Sequence, residues 1–165
     1  MVHNIADLIL QNVDKAESTG LYNGRAGLSL SLFAAAEYLR DERIEDAAYK
    51  LLQESLILKN NSASFENGLP GVGYALLFLI ENKYLEADFD EIFGNQYESI
   101  MNLYKNIEKD PFRLINSFKV IYFFSKVGNI KKEDARIPVI IKKRFLKDWN
   151  CFSSFNFLIF MIPVT

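Results

Sequence analysis

Cys151 and His3 are the single cysteine and the single histidine of a 165-residue chain, and they stand at its opposite ends. A catalytic zinc centre needs three protein ligands and an open fourth position, which one thiolate and one imidazole do not supply. A nucleophile relay needs a histidine held firmly beside a serine, and a terminus prone to fraying is a poor place for it. In "DWNCFSSF" the cysteine sits among apolar neighbours, so Cys151 reads as a small core residue and only a weak metal candidate. The carboxylates Glu37, Glu81, Asp88 and Asp90 would do acid–base chemistry only if two of them faced each other across a pocket. Near helix ends they read as caps and surface. No catalytic or ligand-binding residue is therefore assigned, and no cofactor is expected.

Two glycine-rich segments raise a different possibility. "NGRAGLSLSLFAAAEYL" covers residues 23 to 39, and "NGLPGVGYALLFLIENKYL" covers residues 67 to 85. Asn-Gly-x-x-Gly thus stands twice before an apolar run, at Gly24 and Gly27 and again at Gly68 and Gly71. Glycine costs a helix interior about 1 kcal/mol relative to alanine, so its repeated use at a helix start signals a requirement of the backbone. One function is an anion cradle, since free amides at a helix N-terminus attract phosphate. Neither copy follows a strand or carries the lysine of a phosphate-binding loop, so the glycines are expected to be structural. They would open the helix from a sharp turn and let another backbone approach.

The elements that position these residues are helical. Ile5, Leu8, Ile9 and Val13 fall at helix spacing, as do Ile44, Ala47, Ala48, Leu51, Leu52 and Leu58, and no segment alternates with period two. Asp88 with Glu91 three residues on predicts a capped helix carrying Phe89, Ile92, Phe93, Tyr97, Ile100, Met101, Tyr104 and Ile107 inward, with Gly94 inside it. Asp110-Pro111 predicts another start, ending at Gly128-Asn129, and Pro138 breaks or kinks the segment "KKEDARIPVIIKKRFL". Asn23 and Asn67, Gly27 and Gly71, Leu32 and Leu76, and Glu37 and Glu81 are each 44 residues apart. That period is the length of a two-helix unit. A third copy near "LINSFKVIYFFSKVGN" has Ser117 and Val120 at the glycine positions.

Half of the residues are hydrophobic, 24% are charged and the formal net charge is −2, which predicts one globular domain over residues 1–165. This balance gives no reason to expect nucleic acid or a membrane surface as partner, and Lys142, Lys143, Arg144 and Lys147 read as a solvated helix face. Without a disulfide or a secretory leader pattern the expected location is cytoplasmic. The apolar tail "CFSSFNFLIFMIPV" is too short to span a bilayer. It is expected either to fold back as a buried helix or to meet a partner.

"GLYNGRAGLSLSLFAAAEYL" and "FENGLPGVGYALLFLIENKYLEADFDEIF" resemble the early repeats of lanthionine synthetase C-like proteins. The resemblance covers roughly residues 1–128, with 129–165 divergent. The helical periodicity predicts an all-α fold of about seven or eight helices, and the resemblance implies that they form a partial α/α toroid of repeated helix pairs. Cyclases of that family hold zinc with two cysteines and a histidine and activate a peptide thiolate for addition to a dehydrated serine or threonine. Lacking that ligand set, this chain alone is expected to be a family member without zinc-dependent cyclase activity. The resemblance then implies a peptide-binding or scaffold role in peptide modification, with a peptide, a protein or a second copy as partner. The alternatives are an enzyme of another class on an α/α toroid, such as one acting on carbohydrate, or a shortened remnant of a cyclase.

Overall fold

The computed structural model describes residues 1–58, 62–106 and 119–127, and every regular element among them is helical. The chain divides into two compact units, Met1–Met101 and Asn102–Thr165. In the first, α1 spans Val2–Asn12 and a 3₁₀ turn succeeds it at Val13–Lys15. After it come α2 (Arg25–Leu39), α3 (Glu42–Ile57), α4 (Leu69–Glu81) and α5 (Phe89–Asn106), the last running across the unit boundary.

Burial separates two kinds of helix in this unit. α4 buries Leu69, Pro70, Gly71, Val72, Gly73, Ala75, Leu76, Leu77 and Leu79, so most of its circumference is covered. α2 likewise buries Ala26, Ser29, Leu32, Phe33, Ala35 and Ala36. A helix apolar on most sides must be covered on most sides, and these two pack against each other as inner helices. α3 is amphipathic. It lays Ile44, Ala48, Leu51, Leu52 and Ser55 inward, and its pairing with α2 is the most extensive of the fold. The Ser29 hydroxyl donates to the Ala48 carbonyl oxygen at 2.8 Å across that interface, satisfying a fully buried polar side chain. Phe33 meets Tyr49 edge-on, with ring centroids 4.8 Å apart.

The helix ends are set by local chemistry. Asp41 caps α3 by accepting from the Arg43 backbone amide at 3.0 Å. The Arg43 guanidinium also binds its carboxylate, and this side-chain contact holds the Asp41 pKa below the usual range. Asp88 caps α5, accepting from the Glu91 amide at 2.9 Å. Pro70 stands in the first turn of α4, where a missing amide costs little.

Four expected inward positions are exposed. Ile5 and Leu8 on α1 are 51% and 60% exposed, while Ala6 is buried and Val2, Ile9, Leu10 and Val13 are half-buried. α1 has apolar residues on more than one side, and helix spacing alone did not select the stripe centred on Ala6 that faces the fold. Leu58 caps the C-terminus of α3 in an extended conformation, beyond the last turn that packs. Ile92 lies at the edge of the stripe formed by Phe89, Phe93 and Ile100. Residues 119–127 are helical and bury Val120, Phe123, Phe124 and Val127. The expected start at Asp110-Pro111, the stop at Gly128-Asn129, the break at Pro138, the inward Tyr104 and Ile107, the remaining helices, the basic cluster and the apolar tail lie outside the described residues and side chains.

Candidate functional site

The segments that lead into α2 and α4 are one structure used twice. Ser18 Oγ accepts from the Gly20 amide at 3.1 Å, and Ser62 Oγ accepts from the Ser64 amide at 3.2 Å. The Arg25 amide donates to the Ser18 carbonyl oxygen at 2.9 Å, and the Leu69 amide donates to that of Ser62 at 3.1 Å. Every residue in the second set lies 44 positions after its counterpart in the first. A short serine-anchored turn therefore reverses the chain and delivers it to the helix through Gly24 or Gly68, each an N-cap in extended conformation.

The glycines are set by the close return of this turn. A Cβ on Gly27 would overlap the Leu21 carbonyl oxygen, and one on Gly71 would overlap the Phe65 carbonyl oxygen, again an equivalent pair. A Cβ on Gly24 would meet Gly20 O, and one on Gly68 would meet Ser62 O and Ser64 O. The backbone that comes close is mainly the loop just before each helix, rather than a neighbouring inner helix. The two loops also touch each other: the Tyr22 amide donates to the Glu66 carbonyl oxygen at 2.8 Å, and a Cβ on Gly20 would overlap the Asn67 backbone.

The repeats differ in detail. Asn23 has a left-handed backbone with φ of 53°, which asparagine tolerates well, whereas its equivalent Asn67 does not share that conformation. Arg25 has no counterpart either, because Leu69 takes its place. Its Nε donates to the Ala16 carbonyl oxygen at 2.9 Å and its Nη1 to Glu54 Oε2 at 2.7 Å, tying the first loop to the last turn of α3.

A sequence model of the lanthionine synthetase C-like protein family matches residues 1–115, which include both glycine loops and α1 to α5. The chain belongs to this family. No curated protein and no solved structure matches it. In this lanthionine synthetase C-like chain the anion-cradle reading of the loops meets a physical obstacle. The Arg25, Ala26 and Gly27 amides donate to the carbonyls of Ser18, Thr19 and Gly20. Those of Leu69, Gly71 and Val72 donate to Ser62 and Gly68, and Pro70 has no amide. The donors that a phosphate would need at either helix start are engaged within the loop.

The family's zinc does not fit the donors this chain offers. His3 lies exposed on α1 with Nε2 3.5 Å from Asp7 Oδ2, and Cys151 is outside the described residues. Among the described residues no three histidine, cysteine, aspartate or glutamate side chains gather. Of the four candidate carboxylates, Asp88 serves as the α5 cap, and Glu81 and Asp90 are exposed. Glu37, in the last turn of α2, faces the Tyr84 hydroxyl, and this hydrogen bond, with burial and charge adding to it, raises the tyrosine pKa. Because the folded value exceeds the unfolded one, the stabilisation is complete below pH of about 10 and is lost as pH rises through the folded value. Ultraviolet titration of the phenolates should show Tyr84 ionising late, and Glu37→Gln should return it toward the ordinary range.

Ser18, Ser62, Gly20 and Arg25 were missed as positioning residues. The signal for the first two was present, since the 44-residue offset that relates the glycines also relates the serines. No helix among the described residues is long and apolar enough to cross a membrane.

Proposed function

We propose that this lanthionine synthetase C-like chain is a peptide-binding or scaffold member of the family, acting in the cytoplasm on a peptide or protein partner in peptide modification, with no zinc-dependent cyclase activity of its own. The donor set carries this reading. One cysteine and one histidine stand where the cyclase chemistry needs two cysteines and a histidine. The duplicated loop supports a scaffold role, because its glycines and its Ser18 and Ser62 hydroxyls are used in holding two helix starts.

The test uses purified full-length chain, a labelled peptide bearing one cysteine and one dehydrated serine, and added zinc. The expected result is peptide binding by fluorescence anisotropy without accelerated loss of the alkylatable thiol. Metal content after purification without added zinc should be far below one ion per chain and unchanged by Cys151→Ala. Stoichiometric zinc that disappears in that variant, or zinc-dependent thioether formation, would reverse the proposal.

A further inference from the structure

Asn23-Gly24 and Asn67-Gly68 are the same dipeptide at equivalent places, and asparagine before glycine is open to a reaction of the chain with itself. The side-chain carbonyl carbon of an asparagine lies one ring closure away from the backbone nitrogen of the next residue, and glycine puts no side chain in the way of that nitrogen. Three conditions decide whether a folded chain permits the closure: the asparagine must be open to water, the glycine amide must be free of an acceptor, and the asparagine backbone must be able to turn. The first two hold at both loops. Asn23 and Asn67 are exposed. The Gly24 and Gly68 amides donate to no acceptor among the described residues, whereas the amides that follow them, of Arg25 and Leu69, donate to Ser18 and Ser62. The third condition separates the two loops. The Asn67 amide reaches Ser64 Oγ at 3.5 Å, and its backbone is packed so closely on Gly20 that a Cβ there would overlap it. Asn23 makes no hydrogen bond among the described residues, and its left-handed backbone, with φ of 53°, is a conformation that an L residue holds at a cost and gives up on turning.

We propose that Asn23 is a site of spontaneous modification, converted by its own chain and water to a mixture of aspartate and isoaspartate ahead of Asn67. The Gly24 nitrogen, its proton lost to hydroxide, bonds to Asn23 Cγ, and the Cγ–Nδ2 bond breaks with that nitrogen leaving as ammonia. Water then opens the succinimide ring at either of its carbonyl carbons. Opening at Cγ gives aspartate, and opening at the main-chain carbon gives isoaspartate. The second product carries the main chain through Cβ and Cγ, one methylene longer than before. That methylene enters the loop where a Cβ on Gly24 would overlap the Gly20 carbonyl oxygen, so the modified chain loses the close return and, with it, stability. This proposal is independent of whether the chain binds a modified peptide.

Full-length chain held at mildly alkaline pH, folded in buffer and unfolded in urea, and sampled over days by peptide mapping with mass spectrometry and an isoaspartate-specific carboxyl methyltransferase, tests it. In the folded chain product should accumulate at Asn23 several times faster than at Asn67, and faster as pH rises. Asn12 and Asn82 should stay intact, because neither precedes glycine and their side-chain amides donate to the Leu8 and Phe78 carbonyl oxygens at 2.8 Å. In urea the two Asn-Gly pairs should react at similar rates, which ties their difference to the fold. The aged folded sample should also unfold at lower urea than the fresh one. Asn23→Gly removes the reactive amide while keeping a residue suited to the left-handed backbone, so the aged variant should hold its unfolding midpoint. The rates in the unaltered chain decide the question if that variant does not fold. An Asn23 that survives incubation of the folded chain would overturn the proposal, as would one that reacts no faster than Asn67 or that keeps the same lead over Asn67 in urea. An aged Asn23→Gly chain that loses as much stability as the unaltered one would overturn it as well.

Discussion

Gly27→Ala and Gly71→Ala are each expected to lower stability by about 2–4 kcal/mol, and the valine variants by more. Helix propensity alone predicts the opposite sign, since alanine is favoured over glycine by about 1 kcal/mol in a helix. The reversal comes from the loop. An added methyl at Gly27 would occupy the position of the Leu21 carbonyl oxygen, and at Gly71 that of the Phe65 carbonyl oxygen. Neither oxygen is the far end of a flexible side chain. Moving Leu21 shifts the Tyr22 amide that bonds Glu66, so strain in the first loop passes to the second. Gly71 adds a second obstacle, the Leu21 Cβ at 3.0 Å from its own added Cβ. Gly94, inside α5, is the internal control, because nothing stands within 4 Å of a Cβ placed there. Gly94→Ala should therefore raise stability by up to about 1 kcal/mol. Urea denaturation monitored by circular dichroism measures all three. Losses under about 1 kcal/mol at both loop glycines would mean that the loops yield and that their close return is not required.

How far the sequence discloses this molecule depends on which physical signal each feature leaves. The all-helical fold and the two-unit repeat are legible because apolar periodicity and the glycine spacing are local patterns that recur at a fixed offset. The glycine requirement is legible as a requirement, but its cause is not: an inner-helix contact and a returning loop both ask for a missing Cβ. α1 shows a second limit. With apolar residues around much of its circumference, its covered stripe depends on where α2 lies, and Ala6 rather than the larger Ile5 or Leu8 is the residue packed away. Arg25 and Glu54 show a third, because an ion pair across 29 residues leaves no periodic trace. As for the site, the sequence assigned no catalytic residue. The described structure gathers no metal donors and uses the amides at both glycine loops internally, which is why the glycines carry folding geometry while function has to be argued from the family and the donor set.

Leu32→Ala and Leu76→Ala should each cost about 3–4 kcal/mol, because both leucines are fully buried and a cavity remains where their side chains stood. They occupy equivalent places, 44 residues apart on the two inner helices, so the pair asks whether the repeats stand alone or together. Contacts in this unit favour a joint structure: α2 packs on α3 and on α4, and the two loops exchange a backbone hydrogen bond. A joint structure unfolds in one transition, and either substitution should then shift the whole curve by a similar amount. Independent units would instead give two transitions, with Leu76→Ala moving only one of them. Leu8→Ala supplies the surface reference, since a leucine 60% exposed should cost under about 0.5 kcal/mol when truncated. The double variant is the sharper measurement. If the single losses add, the combined loss of about 6–8 kcal/mol approaches the total stability of a typical domain, about 5–15 kcal/mol, and the unfolded state becomes populated in water. A Leu32→Ala, Leu76→Ala chain that remains fully folded, with a single transition displaced by less than about 2 kcal/mol, would show that the inner helices are not the shared core of the two repeats.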